Sequence, residues 1–265
     1  MDVLKGLEWT FDTKASLYER LRPGYADELY QTIFDYIPVN ESSNVVEVGI
    51  GGGQATLPFL QTGCQLTAVE YGKNLSELCR EKFKDYKNFS VIVNKFEDCE
   101  FVDEGYDLVF SASAFHWIPE ETGYRKVYAM LKRGGVFARF ANHPYPVKGN
   151  PDLTDEIQEI YGAYYYKFYN RKQEFPKEYS AEDARLRAMT ASKYGFQDIE
   201  YALFHRVRTF SASEYIALLE TYSDHIAIEE TLRKEFFAKI EEAINRHGGA
   251  INIYDTIDLQ LSKKG

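Results

Sequence analysis

Short apolar runs alternate along the chain with longer stretches whose apolar residues recur every three or four positions, so strands should alternate with amphipathic helices. The expected strands are a run opening at Val45, then Gln65–Val69, Phe89–Val93, Tyr106–Ser111, Val136–Ala141, Ile199–Arg208 and Ile251–Leu261. Helices are expected over Ala26–Ile37, Gln54–Thr62, Asn74–Phe83, Glu120–Lys132, Asp152–Tyr169, Ser180–Tyr194 and Thr231–His247. Leu29, Ile33, Phe34 and Ile37 share one face of the first helix, and Leu232, Phe236, Ile240 and Ile244 share a stripe of the last. Ser180 with Asp183, and Ser211 with Glu214, stand at capping-box spacing, so each marks a helix start. This order is that of an α/β protein with a doubly wound sheet. The reading is one domain over residues 1–265, with a helical lid at 1–43 and a helical insert at 144–198, where Pro144, Pro146, Gly149 and Pro151 break the alternation.

The chemistry concentrates after the first strand, in Glu47-Val48-Gly49-Ile50-Gly51-Gly52-Gly53-Gln54. Glycines let the backbone take positive φ and let a ligand reach the main chain, and the helix start that follows offers free N–H groups. A dinucleotide fingerprint counted from Gly49 and Gly51 would need its third glycine where Gln54 stands. The third spaced glycine is Gly53, and the carboxylate of Glu47 two residues ahead suits a cationic ligand end better than a pyrophosphate. Glu70 ends the second strand, spaced as a ribose-binding acid is from such a loop, and Tyr71 beside it can pack on a ribose or a base.

The pattern Glu-x-Gly-x-Gly-x-Gly resembles the first motif of the class I S-adenosylmethionine-dependent methyltransferases. The lead segment Tyr18-Glu19-Arg20-Leu21-Arg22-Pro23-Gly24-Tyr25, the triplet Phe115-His116-Trp117 and Leu131-Lys132-Arg133-Gly134-Gly135 are similar to features of the methyltransferase type 11 group, in the same order, from Tyr18 to about Ala141. The resemblance implies a seven-stranded Rossmann-like methyltransferase sheet, its last strand antiparallel, with an added helical cap and S-adenosyl-L-methionine as cofactor. It assigns cofactor binding to Tyr18, Glu47, Gly49, Gly51, Gly53, Glu70 and Tyr71, to Phe96 and Glu97 at the adenine, and to Ser111 and Ala112 near the sulfonium. Where many relatives carry an acid in the adenine loop this chain has Lys95, which moves the expectation to Phe96 and Glu97, with Asp98 behind them. Arg22 and Tyr25 would fold over the cofactor with Tyr18, whereas Arg20 is read as clamping the leader to the surface. His116 is the first candidate for a general base, with His143 and a pocket tyrosine behind it.

Charge then narrows the partners. A formal net charge of -10 argues against nucleic acid as partner and favours a small-molecule acceptor. Cys64, Cys79 and Cys99 have no metal-ligand spacing, so no metal is expected, and the absence of an apolar leader or span suggests a cytoplasmic protein without membrane partners. Among 21 tyrosines, Tyr161, Tyr164, Tyr165, Tyr166 and Tyr169 fall in the insert, where core packing is the first reading and an aromatic roof over an acceptor the second. The polar run Thr221–His225 reads as an interhelical loop. Alternatives are methylation of tRNA or protein, a binding protein that holds the cofactor without catalysis, and a nicotinamide oxidoreductase. A carboxylic acid acceptor would need convergent Arg or Lys side chains, which the sequence does not place.

Overall fold

A computed structural model describes residues 24–146 and 148–265. Tyr18, Arg20 and Arg22 lie outside the described residues. The elements in chain order are α1 (Asp27–Tyr36), β1 (Asn44–Val48), α2 (Leu57–Leu60), β2 (Gln65–Glu70), α3 (Lys73–Lys82), β3 (Phe89–Val93), β4 (Tyr106–Ala112), α4 (Glu120–Met130) and β5 (Leu131–Tyr145). There follow α5 (Pro151–Tyr161), α6 (Ala181–Met189), β6 (Phe196–Ser211), α7 (Ala212–Leu219), α8 (Ser223–Ile226), α9 (Glu230–Arg246) and β7 (Ala250–Lys264).

The seven strands form one sheet in the order β3-β2-β1-β4-β5-β7-β6. β1 to β5 pair in parallel, and β7 runs antiparallel to both of its neighbours, as the resemblance implied. The order reverses between β1 and β4, and the crevice outside the strand ends at such a reversal is where ligands bind in open α/β sheets.

Helices cover both faces, which is why the inner strands are apolar on both sides. One face packs Leu29 and Ile33 of α1 with Phe59, Phe110, Phe140 and Leu259. The other packs Val46, Val109 and Phe137 against Tyr124 and Val127 of α4 and the Phe115 ring. A third cluster lies beyond the sheet's end and joins Leu153 and Ile157 of α5 to Tyr215, Phe236, Ile240 and the first residues of β7, Ile251 and Ile253. The insert tyrosines Tyr165 and Tyr166 are buried in that cluster. The first part of the stretch, from Leu153 to Tyr169, therefore shares its core with α7 and α9 as one helical layer, whereas Ala191 and Phe196 at its end pack in the cluster under α4.

Several boundaries differ from the pattern-based expectation. The helix expected over Gln54–Thr62 contracts to α2 because Thr56, at its N-cap, gives no side-chain cap and instead donates its hydroxyl to Glu47. The helix expected to reach Lys132 stops at Met130, since Leu131 already pairs with Tyr106 in the sheet. β5 runs past Pro144 because β7 supplies an antiparallel partner as far as Tyr254. Both capping boxes are formed, and the run Thr221–His225 leads into the short helix α8, which starts at Ser223. Among the described residues no helix is long and apolar enough to cross a membrane.

Candidate functional site

The loop after β1 is bent by three glycines at positive φ: Gly49 at 76°, Gly51 at 56° and Gly53 at 72°. It is tied to β2 by the Gly49 amide, which donates to the Val69 carbonyl at 2.9 Å. A Cβ at Gly49 would stand 2.4 Å from the Ala114 methyl, and one at Gly53 2.6 Å from the Phe83 ring. At these two positions a side chain would collide with the protein's own packing. The Gly51 amide points elsewhere, donating to Glu70 Oε2 at 2.9 Å.

Glu47 is the penultimate residue of β1, with no exposed surface. Thr56 donates to its Oε2 at 2.8 Å, while Oε1 is buried with no partner among the described residues. Burial pushes its carboxyl up to about 8, the charge of Glu70 adds to the rise, and the Thr56 hydrogen bond and Lys82 pull against it. A buried acid with one oxygen unsatisfied is a site prepared for a donor, and a cationic donor would also favour its charged form.

Glu70 ends β2 as expected and collects the site's backbone. Its Oε2 accepts from Gly51 and its Oε1 from the Gly72 amide, each at 2.9 Å. Each carboxylate oxygen therefore takes one backbone amide of the loops that follow β1 and β2. Tyr71 is half exposed, with the Lys95 ammonium 5.5 Å from its ring centroid. The Asn94 amide donates to the Glu70 carbonyl at 3.0 Å and brings the adenine-loop candidates beside this acid.

The side chains of Phe96 and Ser111 both turn into the protein. Phe96 is buried in the core beneath α4, with the Lys126 ammonium 5.2 Å from its ring, so only its backbone is left to meet a ligand. Ser111 is wholly buried and donates to the Val48 carbonyl at 2.8 Å, bracing the start of the glycine loop from below. The Ala112 methyl packs against the α1 face of the sheet. Glu97 is partly buried, and its carbonyl accepts from Lys126 at 2.8 Å. His116 is exposed on the turn after β4, its ring 5.2 Å from that of Trp117.

At the sheet's ligand edge the structure adds residues that the pattern left unassigned. Ser113 holds φ 54° and shares a 2.9 Å hydrogen bond with the Tyr25 hydroxyl. It also accepts from the Asn142 amide at 3.3 Å, which joins the ends of β4 and β5 to the entry of α1. Asn142 Nδ2 donates to Asp255 at 3.0 Å, and Asp255 also holds Arg206 and Arg208 of β6. Arginines do converge here, through a strand pairing that spacing along the chain cannot reveal.

The architecture is that of a Rossmann-like methyltransferase, with an acid-glycine loop at the switch point and an acid at the end of the next strand. Residues 46–138 match the family described as "Methyltransferase domain". An uncharacterised methyltransferase of Schizosaccharomyces pombe is 24% identical over 95% of this chain and 93% of its own length. Among solved structures, one from Anaeromyxobacter dehalogenans, provisionally named a type II methyltransferase, aligns with a TM-score of 0.62 at 17% identity, covering 91% of this chain and 97% of that one. A phosphoethanolamine N-methyltransferase of Haemonchus contortus, in complex with phosphomonomethylethanolamine and S-adenosylhomocysteine, aligns with a TM-score of 0.53 at 16% identity, over 96% of this chain and 57% of that one. The matched segment, residues 46–138, marks the chain as a methyltransferase, and its sheet has the fold of the class I S-adenosylmethionine-dependent methyltransferases.

Proposed function

We propose that this enzyme binds S-adenosylmethionine across the ends of β1, β2 and β4 and transfers its methyl group to a small molecule held under the helical layer. The observation that carries the reading is the pairing of Glu47, buried with an unsatisfied oxygen, with Glu70, whose carboxylate orders the glycine loop. Glu47 and the loop would hold the amino-acid end, and Glu70 the ribose hydroxyls. Tyr71, Glu97 and the Phe96 backbone would flank the adenine, the ends of β4 at Ala112 would face the sulfonium, and His116 would border the pocket mouth. The group supplies an already activated methyl when bound. The chain's own contribution is therefore to bring two reactants into line and to exclude water, and approximation alone can lower the barrier by several kcal/mol.

A small acceptor suits the strongly acidic chain and the helical layer over the sheet's end, and the Haemonchus neighbour binds a small phosphorylated amine. The three buried free thiols suit a reducing compartment such as the cytoplasm.

The test is a thermal-shift titration with S-adenosylmethionine, S-adenosylhomocysteine, NAD and NADP, followed by transfer of a radiolabelled methyl group to a metabolite extract. A ligand of the folded state at about 100 times its dissociation constant adds roughly 2.7 kcal/mol of stability. Stabilisation by the two adenosyl ligands alone, with label in the low-mass fraction, is the expected result. Label in protein would redirect the acceptor assignment, and stabilisation by a dinucleotide alone would overturn the cofactor.

A further inference from the structure

The end of β5 carries a side-chain cluster for which cofactor binding has no use. His143 Nε2 lies 2.8 Å from Asp258 Oδ1 on β7, and the Asp258 side chain is wholly buried. Arg187 of α6 reaches both carboxylate oxygens, at 3.1 and 3.2 Å, and Gln260 donates to the same group. Tyr179, from the segment ahead of α6, lies flat on the imidazole with centroids 3.6 Å apart and planes 5° from parallel, and its hydroxyl stands 3.4 Å from Asp258 Oδ2. Ring plane and ring rotation are thus both fixed, which is more than packing a surface histidine requires.

The arrangement also selects a tautomer. Nε2 stands between Asp258 Oδ1 at 2.8 Å, which only accepts, and Arg187 Nη1 at 3.3 Å, which only donates; the shorter contact, to a carboxylate, puts the proton on Nε2, and a neutral imidazole then keeps its lone pair on Nδ1. Burial pushes the Asp258 carboxyl up, but His143 and Arg187 outweigh it and hold it below the ordinary carboxylate range. Asp258, Arg187 and Tyr179 are the charged and titratable groups on His143, with Arg139 next beyond Arg187. The imidazole remains 27% exposed. It is also well placed, since the preceding residue, Asn142, donates to Ser113, next to the Ala114 that packs on Gly49.

We propose that His143, oriented by Asp258 as a positioning residue, is the base that takes the proton from the methyl acceptor. This rests on the methyl-transfer reading above. In the step, the acceptor's lone pair forms the bond to the methyl carbon while the carbon–sulfur bond breaks onto sulfur, and the proton released by the acceptor passes to Nδ1. Buffer removes it after product leaves, so charge and atoms balance without a further reactant.

The first measurement is a long-range proton–nitrogen spectrum of the labelled protein with S-adenosylhomocysteine, which needs no variant. A proton on Nε2 and a bare Nδ1 are expected at His143, and a proton on Nδ1 in the neutral ring overturns the proposal. The second compares His143→Gln and Asp258→Asn with the wild type in cofactor affinity and in methyl transfer to a metabolite extract across pH. His143→Gln is expected to keep its affinity within about twofold and to lose about 10²–10⁴-fold in transfer rate, together with the rise of rate with pH. Asp258→Asn should move the proton from Nε2 in the spectrum and lower the rate without changing affinity. A wild-type rate in His143→Gln, or a parallel loss of affinity and rate, would assign His143 a structural part only. Wild-type protein that binds cofactor and labels nothing sinks the transfer reading itself, a result distinct from failure at His143.

Discussion

A carboxyl group on a buried strand is costly unless it stays neutral or meets a donor. Glu47 meets one donor, Thr56, and holds its proton to about pH 8. Since the folded value lies above the unfolded one, this group's contribution to stability is complete in acid and is lost as pH rises through the folded value. The ligand-free protein should therefore lose melting temperature more steeply than Glu47→Gln between about pH 5 and 8, and parallel curves would contradict it. A cationic ligand end beside Glu47 favours its charged form, so binding of S-adenosylmethionine near neutrality should release a proton. Calorimetry in buffers of different ionisation enthalpy reads that release, and buffer-independent heats would separate Glu47 from the ligand. For Glu70→Ala, the loss of a charged acceptor should weaken binding by about 1–3 kcal/mol. Because Glu70 also accepts from Gly51 and Gly72, hydrogen exchange at both amides should rise in the ligand-free variant.

At the level of elements, the helical layer depends on how its helices begin. Ser211 opens α7 directly out of β6 with a complete capping box, so one hydroxyl sets the direction in which the chain leaves the sheet. Ser211→Ala should cost about 0.5–2 kcal/mol, seen as a lower urea midpoint with an unchanged slope. Both boxes were readable from the sequence because the interaction is local, spanning Ser180 to Asp183 and Ser211 to Glu214. β3 was read to the residue for a similar reason, its apolar run being bounded by polar residues. The true ends of β5 and α2 were not readable, since β7, far along the chain, extends the one and Glu47 takes the cap of the other. Likewise Phe96 and Ser111 stand in the segments that motif order implied, but which way each side chain turns is decided by α4 and by the Val48 carbonyl. Asp258, Arg187 and Tyr179 gather around His143 through strand pairing and helix docking, and no spacing along the chain encodes that meeting.

For the molecule as a whole, β7 joins the core of the sheet to that of the helical layer. Ile257, Leu259 and Leu261 belong to the cluster under α1, and Ile251 and Ile253 to the cluster of the helical layer. Removing residues 250–264 should therefore abolish a cooperative calorimetric transition, whereas an intact transition of reduced enthalpy would mean that the sheet closes without this strand. The position of β7 between β5 and β6 also bears on how the chain is born. As translation proceeds, β2 can pair with β1, β3 with β2, β4 with β1 and β5 with β4, each on a strand already made. β6 has no such neighbour, because the strand that separates it from β5 is the last of the seven to be synthesised. Until then β6 and the helices that follow it trail from a half-built sheet, so the growing polypeptide passes through an interval in which the ribosome, and any chaperone waiting there, holds an edge that the finished enzyme never shows.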